Sequence, residues 1–279
     1  SFLLGPPFML KTRILTAVIA LLLFLAALFY LSAIFWMTLL LALVVMGAVE
    51  WSKLAKFSVA HSTVYLTSTA LLGGELLYVL SRAVLIDPYT TAFLWLYAAS
   101  LAFWMLAAPT LLKSNHPIKS PVLLALIGWL LLLPTGLALY QLRAISPLLL
   151  LGFMAAIWIS DTAAYFAGRT FGKHKLAPRI SPGKTWEGVA GALAAVSVYA
   201  LIWAQMAAEE VQIVLLLPLL LTLTALGIVG DLFESLMKRH AGVKDSGNIL
   251  PGHGGILDRI DALTSTLPAA ALALLIFTV

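Results

Sequence analysis

Acidic and basic side chains recur at helical spacing near the C-terminal end of the chain. Asp231, Ser235 and Lys238 are four and three residues apart, so a helix would place them on one face. Asp258 and Asp261 are three residues apart and would share a face of the following helix. An unpaired carboxylate in hydrocarbon costs about 2.5–3.5 kcal/mol on an insertion scale. We therefore predict that two helix ends bring these carboxylates to one depth, where they face a cavity, a partner or a metal ion.

The available ligand atoms narrow the choice of metal. The chain has no cysteine, which excludes a disulfide framework, a thiolate nucleophile and a zinc–thiolate site. Carboxylates suit a hard cation such as Mg²⁺, which keeps water ligands and binds substrate phosphates. We predict Asp231, Asp258 and Asp261 as its ligands. Asp161, inside an apolar run, is either a further site carboxylate or the partner of a nearby Lys or Arg.

A glycine-rich loop, Gly252-His253-Gly254-Gly255, lies between the two acidic helix ends. Such a loop can aim backbone N–H groups at an anion, and it leads into a helix N-terminus, which favours phosphate. In isolation it would equally be a tight turn before a helix. The basic side chains around it favour an anion site, with His253 binding phosphate or shaping the loop; they are Lys238, Arg239, Lys244 and Arg259.

A second polar segment follows Ser160-Asp161 and ends at Gly188. Its five basic residues are Arg169, Lys173, Lys175, Arg179 and Lys184. They reflect either a positive-inside bias, contact with anionic lipid, or a substrate site. The run Ser181-Pro-Gly-Lys-Thr185 is superficially similar to a P-loop, but that motif needs Gly where Pro178 stands. We predict Lys184 and Thr185 as phosphate ligands at a helix N-terminus.

Long apolar runs must position these residues. The 279 residues are 62% hydrophobic and 10% charged, against about 25% charged in soluble domains, and the mean hydropathy is +1.04. We predict an all-α polytopic membrane protein of about nine transmembrane helices. The runs cover residues 14–31, 33–49, 59–80, 91–112, 121–142, 146–167, 188–207, 211–234 and 260–279. The first two form either a hairpin or one long bent helix.

The distribution of basic residues predicts the orientation. With nine spans and a cytoplasmic N-terminus, all of the 17 Lys and Arg residues except Arg82 and Arg143 fall on the inner side, as the positive-inside rule requires. The C-terminus is then external, and the polar segments 169–187 and 235–259 are cytoplasmic. We treat residues 1–145 and 146–279 as N-terminal and catalytic parts of a single membrane domain, and expect residues 1–8 to be an artificial or disordered start.

Three other ionisable residues lie outside these clusters. Glu50 and His61 are near predicted membrane boundaries, and we expect them to be interfacial. Glu75 lies deep in the third span and is either a packed, hydrogen-bonded carboxyl or a functional one.

The charged segments together resemble the signature of phosphatidate cytidylyltransferases, also called CDP-diacylglycerol synthases. The resemblance rests on Ser235, Lys238, Arg239, Lys244, Asp245, Pro251, His253, Gly254, Gly255, Asp258, Arg259 and Asp261, and on the run from Ser160 to Gly188. Together these residues cover about the last 120 residues of the chain. The first five spans match that family only in hydropathy and length.

This resemblance implies an Mg²⁺-dependent conversion of CTP and phosphatidate into CDP-diacylglycerol and pyrophosphate at the cytoplasmic face of an inner or plasma membrane. It implies metal binding by Asp231, Asp258 and Asp261, with Asp161 or Glu234 nearby, and catalytic roles for Lys238 and Arg239. One or two divalent cations are expected, or a divalent cation with a second cation of another kind. The expected substrate-binding residues are Lys173, Arg179, Ser181, Lys184, Thr185, Ser235, Lys244, Asp245, His253, Gly254, Gly255 and Arg259. The resemblance allows for a homodimer and implies no nucleic acid partner.

Two other function classes remain open from the sequence. A polyprenol kinase, or another lipid enzyme that uses CTP, would have similar helices and a different acceptor. A secondary transporter also carries intramembrane carboxylates, but it would be expected to show an inverted repeat and acidic residues at the membrane midplane.

Overall fold

The computed structural model describes residues 7–207, 212–247, 249 and 254–278. Those residues form ten α-helices, one π-helical turn and one β-hairpin. The helices are α1 Pro7–Tyr30, α2 Ala33–Leu54, α3 Val59–Val84, α4 Leu94–Ala102, α5 Ala108–Ser114, α6 Pro121–Ile145, α7 Pro147–Phe171, α8 Trp186–Met206, α9 Ile213–Ala241 and α10 Leu257–Thr278. The π-helical turn, Phe103–Ala107, joins α4 and α5 into one continuous rod.

Each predicted span corresponds to a helix, with α4 and α5 together forming the fourth. In the described part of the chain, eight helical stretches are long and apolar enough to cross a membrane, and α1 adds the shorter apolar stretch Val18–Tyr30. The all-α polytopic membrane fold is therefore confirmed. The chain leaves helical geometry at Leu31 and Ser32, so the first two spans are separate helices. Helix α1 begins at Pro7 and so includes the last two of residues 1–8, which were expected to be an artificial or disordered start.

Helix α9 extends well beyond its predicted end at residue 234. Its 29 residues correspond to about 44 Å of helix, more than the roughly 30 Å of a hydrocarbon core. It stops at Gly242, whose φ of +81° is the left-handed conformation that commonly ends helices. The extension keeps Asp231, Glu234 and Lys238 on one continuous helix.

Helix α10 lies at the centre of the bundle, in contact with α2, α4, α6, α7 and α9. Its contact with α9 is close at Gly230, where a Cβ atom would lie 2.7 Å from the Asp261 carbonyl oxygen. Nearby, the Ser265 hydroxyl donates to the Leu226 carbonyl at 2.9 Å. The absence of a side chain at Gly230 is what lets α9 approach the acidic start of α10.

Hydrogen bonds show which loops meet at each end of the bundle. At one end, Lys56 Nζ donates to the His240 carbonyl at 3.2 Å, and the His240 ring is 3.4 Å from Asn115 Oδ1. The loop after α2 therefore meets the ends of α5 and α9. These are the segments that the charge distribution assigns to one side of the membrane.

The opposite end is held by polar side chains of α6. Arg143 donates to the Leu28 carbonyl at 2.7 Å and also to the Leu31 carbonyl, which satisfies the end of α1. Gln141 Nε2 donates to the Thr90 carbonyl at 2.8 Å. The predicted outer loops thus share one end, while the assignment of that end to the cell exterior stays a prediction.

An antiparallel β-hairpin in the segment 169–187 was not predicted. Strand β1 is Lys175–Ala177 and strand β2 is Ser181–Thr185. At its base, the Glu187 carboxylate accepts from the His174 N–H at 3.2 Å and lies 2.7 Å from His174 Nδ1. The hairpin delivers Lys184 at the end of a strand, directly before α8.

The close contact at Gly230 predicts an unusual response to a Gly-to-Ala change inside a helix. Alanine has the higher helix propensity, but at Gly230 its Cβ would collide with the backbone of α10. We expect Gly230→Ala to destabilise the protein by about 1–3 kcal/mol, measured as a lower thermal midpoint in detergent.

Gly227→Ala is the matched control, one turn earlier on α9. There a Cβ would meet Thr266 at an ordinary 3.4 Å, so the thermal midpoint should stay the same or rise. Equal behaviour of the two variants would contradict the close contact at Gly230.

Candidate active site

An ion pair between the β-hairpin and α9 forms one half of the site. Lys184 Nζ lies 2.5 Å from Asp231 Oδ2. Asp161 of α7 and Asp261 of α10 lie in the same neighbourhood, close enough to interact electrostatically with Asp231 and with Lys184. Of the three carboxylates, Asp231 is the one that forms an ion pair with Lys184 in the described part of the chain. The close approach of Gly230 to the Asp261 carbonyl shows that the two helix ends are adjacent. The convergence of the Asp231, Asp261 and Asp161 carboxylates on one position stays a prediction.

Lys238 forms the second half, one and a half to two turns further along α9. Its Nζ lies 2.6 Å from Glu234 Oε2 and 2.7 Å from Asp258 Oδ1. The contact with Glu234 is an ion pair without hydrogen-bond geometry, and neither Glu234 oxygen has a hydrogen-bond partner among the described residues. Glu234 is buried, so its charge depends on Lys238. Lys238 therefore joins α9 to the first turn of α10.

Asp258 already has a partner at each oxygen. Its Oδ1 faces Lys238, and its Oδ2 accepts from the Ser246 N–H at 2.9 Å, the Ser246 hydroxyl at 2.9 Å and the Gly255 N–H at 2.8 Å. This arrangement fixes the loop before α10. A metal ion bound through Oδ1 would share that oxygen with Lys238 or displace Lys238 from it.

The acidic residues fit a divalent cation by charge and by donor type. Among the residues that the structure describes, no three acidic or histidine side chains already converge on a metal-sized position. The ligand set Asp231, Asp258 and Asp261 therefore stays a prediction. The site nevertheless holds five carboxylates for the two lysine ammonium groups that pair with it. The carboxylates belong to Asp161, Asp231, Glu234, Asp258 and Asp261. An excess of oxygen anions of this kind suits Mg²⁺.

Glu50, at the end of α2, is a polar residue of the site that the sequence did not reveal. It is 0% exposed, so other parts of the protein enclose it, and its expected place near the membrane boundary stays a prediction. Its carboxylate accepts from the Ile256 N–H at 2.9 Å, the Leu257 N–H at 2.8 Å and the Ser246 hydroxyl at 3.0 Å. Its partners lie more than 190 positions away in the sequence, up to 207 for Leu257. Helical spacing along α2 could not have indicated them.

The glycine-rich loop is only partly within the described residues. Gly252 and His253 lie outside them. Gly254 has a φ of +78°, which glycine adopts without strain. The N–H groups of Gly255, Ile256 and Leu257 all donate to carboxylates of the protein, to Asp258 in the first case and to Glu50 in the others. In this part of the loop, the anion at the helix N-terminus is a side chain.

Three other predicted ligands have structural contacts. The buried Thr185 hydroxyl accepts from the Gly188 N–H at 3.1 Å and caps α8. Ser235 Oγ donates to Asp231 at 3.4 Å. Arg239 Nε donates to the Ile180 carbonyl at 3.3 Å, which ties α9 to the hairpin. Their roles in binding phosphate stay predictions.

The remaining predicted ligands lie towards the surface at the same end of the bundle. Ser181 is partly buried in β2. The exposed members are Lys173, Arg179, Lys244, Asp245 and Arg259. Most carry positive charge, so they form a basic rim, suited to phosphate groups, at the end of the bundle that holds the acidic site.

The whole chain is similar to known proteins. The sequence model described as the Cytidylyltransferase family matches residues 11–277. A phosphatidate cytidylyltransferase of Pseudomonas aeruginosa is 39% identical over 274 residues, covering 94% of this chain and 96% of the relative. One from Haemophilus influenzae is 34% identical over 282 residues, covering 93% and 96%. One from Bacillus subtilis is 48% identical over 122 residues, covering 44% and 45%.

The double ion pair of Lys238 predicts a large loss of stability when its charge is removed. Lys238→Met would leave Glu234 and Asp258 without the ammonium group between them. Loss of one partner from a buried ion pair costs about 3–5 kcal/mol. We expect a clearly lower thermal midpoint in detergent.

Lys53→Met provides the control for that measurement, because Lys53 is exposed near the end of α2. Its thermal midpoint should match that of the unchanged protein. A Lys238→Met protein as stable as the Lys53→Met protein would contradict a structural role for the Lys238 ion pairs.

Proposed function

The chain belongs to the cytidylyltransferase family, and from this membership we propose that it transfers the cytidylyl group of CTP to phosphatidate. The products are CDP-diacylglycerol and pyrophosphate. The observation that carries the proposal is the match over nearly the whole chain, with 39% identity to a phosphatidate cytidylyltransferase over 94% of it. The site supports it, since acidic and basic groups suited to a metal–nucleotide complex lie at one end of a membrane bundle.

The reaction is a displacement at phosphorus. An oxygen of the phosphatidate phosphate attacks the α-phosphorus of CTP, and the bond from the α-phosphorus to the oxygen bridging to the β-phosphate breaks as pyrophosphate leaves. The attacking group is already an anion near neutral pH, so the chain need not supply a general base. Its tasks are to align two anions that repel each other and to neutralise the charge of the leaving group.

The acidic cluster suggests where a metal ion would bind. We propose that Asp231 and Asp261 hold Mg²⁺, with Asp161 beside them, and that Asp258 contributes only when Lys238 moves away. The ion would neutralise phosphate oxygens and help to orient the α-phosphorus. Lys184, now 2.5 Å from Asp231, would be displaced by the cation and would become a donor to a phosphate. One or two divalent cations, or a second cation of another kind, are compatible with the excess of carboxylates.

The basic rim would receive the two substrates. Lys173, Arg179, Lys244 and Arg259 are exposed at the end of the bundle that holds the acidic cluster. Phosphates of CTP would approach there from water, while the acyl chains of phosphatidate remain in the bilayer. We propose that this end faces the cytoplasm, because the charge distribution places most basic residues there. The homodimer and the lack of nucleic acid partners stay predictions.

Labelled CTP tests the proposed reaction. Purified protein in phosphatidate-containing bilayers with Mg²⁺ should move label from the α-phosphate of CTP into the lipid fraction, as CDP-diacylglycerol. Label from the γ-phosphate should remain in water-soluble pyrophosphate. Transfer of the γ-label to lipid would contradict the proposal, because it would indicate a lipid kinase.

Two aspartate variants refine the same assay. Asp261→Asn keeps the size of the side chain but removes a charge from the acidic cluster, so turnover should fall by about 100-fold or more with the protein still folded. Asp258→Asn should also lose turnover, with lower thermal stability because it loses its ion pair with Lys238. Near-normal Mg²⁺-dependent turnover in Asp261→Asn would remove that residue from the metal site.

A further inference from the structure

Glu50 is an acidic side chain enclosed in the bundle, far in sequence from the charged segments of the site. It lies in the last turn of α2, with Trp51 and Ser52 also buried beside it. Trp51 Nε1 donates to the Leu124 carbonyl at 2.8 Å, which fixes this end of α2 against α6. A carboxylate is expensive to bury unless donors satisfy it. The identity of those donors therefore indicates what Glu50 does.

Among the described residues, the hydrogen-bond donors to Glu50 come from the loop before α10 and from the start of α10. Oε1 accepts from the Ile256 N–H, and Oε2 accepts from the Leu257 N–H and the Ser246 hydroxyl. The first N–H groups of a helix lack partners within the helix and carry partial positive charge. Glu50 thus supplies from α2 the anion that the start of α10 requires.

The loop is built to enclose this carboxylate. A Cβ atom on Gly255 would lie 2.5 Å from both Glu50 oxygens, and one on Gly247 would lie 2.9 Å from Glu50 Cδ. Both positions therefore need glycine for the backbone to pass so close to Glu50. The glycines of this segment serve a contact with a protein carboxylate as well as the turn.

Ser246 connects Glu50 to the acidic site. Its hydroxyl lies 3.0 Å from Glu50 Oε2 and 2.9 Å from Asp258 Oδ2. The hydroxyl carries one hydrogen, so the two carboxylates compete for it or share it. Asp258 continues the chain of contacts to Lys238, and Lys238 to Glu234. A continuous polar path therefore runs from α2 to the face of α9 that also carries Asp231.

We propose that Glu50 is a positioning residue for the reaction: it fixes the start of α10 and, through Ser246, the Asp258–Lys238 pair, so that Asp261 faces Asp231 in the geometry needed for turnover. Glu50 itself touches no substrate. The N-terminal helices therefore contribute to the active site as well as anchoring the chain in the bilayer. This inference rests on the proposed cytidylyl transfer, which supplies the activity to be measured.

Glu50→Gln is the sharpest variant because it preserves size and shape. Each Glu50 oxygen accepts from a backbone N–H, so in either orientation the NH₂ group of the glutamine would face one of these donors. The negative charge at the start of α10 would also be lost. We expect kcat per folded molecule to fall by about 10- to 100-fold, as when an outer partner of a metal ligand is removed. The Mg²⁺ concentration for half-maximal rate should rise, while KM for CTP changes less than kcat.

Hydrogen exchange provides a readout that needs no activity. In the unchanged protein, the Ile256 and Leu257 amide hydrogens should exchange slowly with solvent. In Glu50→Gln, the exchange rate in peptides covering residues 254–260 should rise at least about 10-fold, at a temperature where the rest of the bundle is protected. Asp87→Asn is the control, since Asp87 is exposed in the loop after α3, at the opposite end of the bundle from the site. It should leave both exchange and turnover unchanged.

The outcomes separate the inference from the proposed function. Unaltered exchange at residues 254–260 in Glu50→Gln would overturn the contact itself. Faster exchange with unaltered kcat and Mg²⁺ dependence would overturn the positioning role and leave only a structural one. Lack of CDP-diacylglycerol formation by the unchanged protein would instead contradict the proposed function. A Glu50→Asp protein that recovers kcat above Glu50→Gln would support the requirement for a charge at this position.

Discussion

A carboxylate buried among membrane helices is stable only where another part of the chain brings it a donor or a cation. That constraint organises the functional end of this bundle. Lys184 comes from a β-hairpin to meet Asp231 of α9, Lys238 joins Glu234 to Asp258 of α10, and the start of α10 receives Glu50 from α2. The Asp231–Lys184, Asp258–Lys238 and Glu50 contacts therefore also join separate elements, and the geometry of the site and the packing of the helices depend on the same contacts.

The sequence predicts the helices well because membrane thickness, apolar run length and basic residues are strong independent constraints. The sequence predicts the ends of the helices less well. Helix α9 continues to Ala241 because a polar helix can leave the hydrocarbon and remain helical, and hydropathy does not detect that extension. The β-hairpin was missed for a related reason. Its strands are three and five residues long, too short for an alternating pattern to stand out.

In the site, likewise, the sequence indicates contacts between neighbouring helices but not contacts between residues that are far apart in the chain. The nearness of the helix ends that carry Asp231 and Asp261 was predicted, because both residues lie at the ends of consecutive apolar spans. The burial of Glu50 was not, because its partners lie about 200 positions away and the only local signal was one acid at the end of an apolar run. The glycine loop was interpreted as a phosphate cradle. In its described part, the backbone donors instead face protein carboxylates, which come from Asp258 of α10 and from Glu50 of α2.

This arrangement explains how a bilayer protein can serve a water-soluble nucleotide. The acidic cluster and the basic rim lie at one end of the bundle, so CTP and a lipid phosphate can meet there without the acyl chains leaving the bilayer. The most direct test is electron paramagnetic resonance of Mn²⁺, a substitute for Mg²⁺, on protein carrying ¹³C-carboxyl aspartate and bound CTP. The account predicts hyperfine couplings to both aspartate ¹³C and CTP phosphorus, with the ¹³C coupling weakened in Asp261→Asn. Phosphorus coupling without any aspartate ¹³C coupling would contradict it.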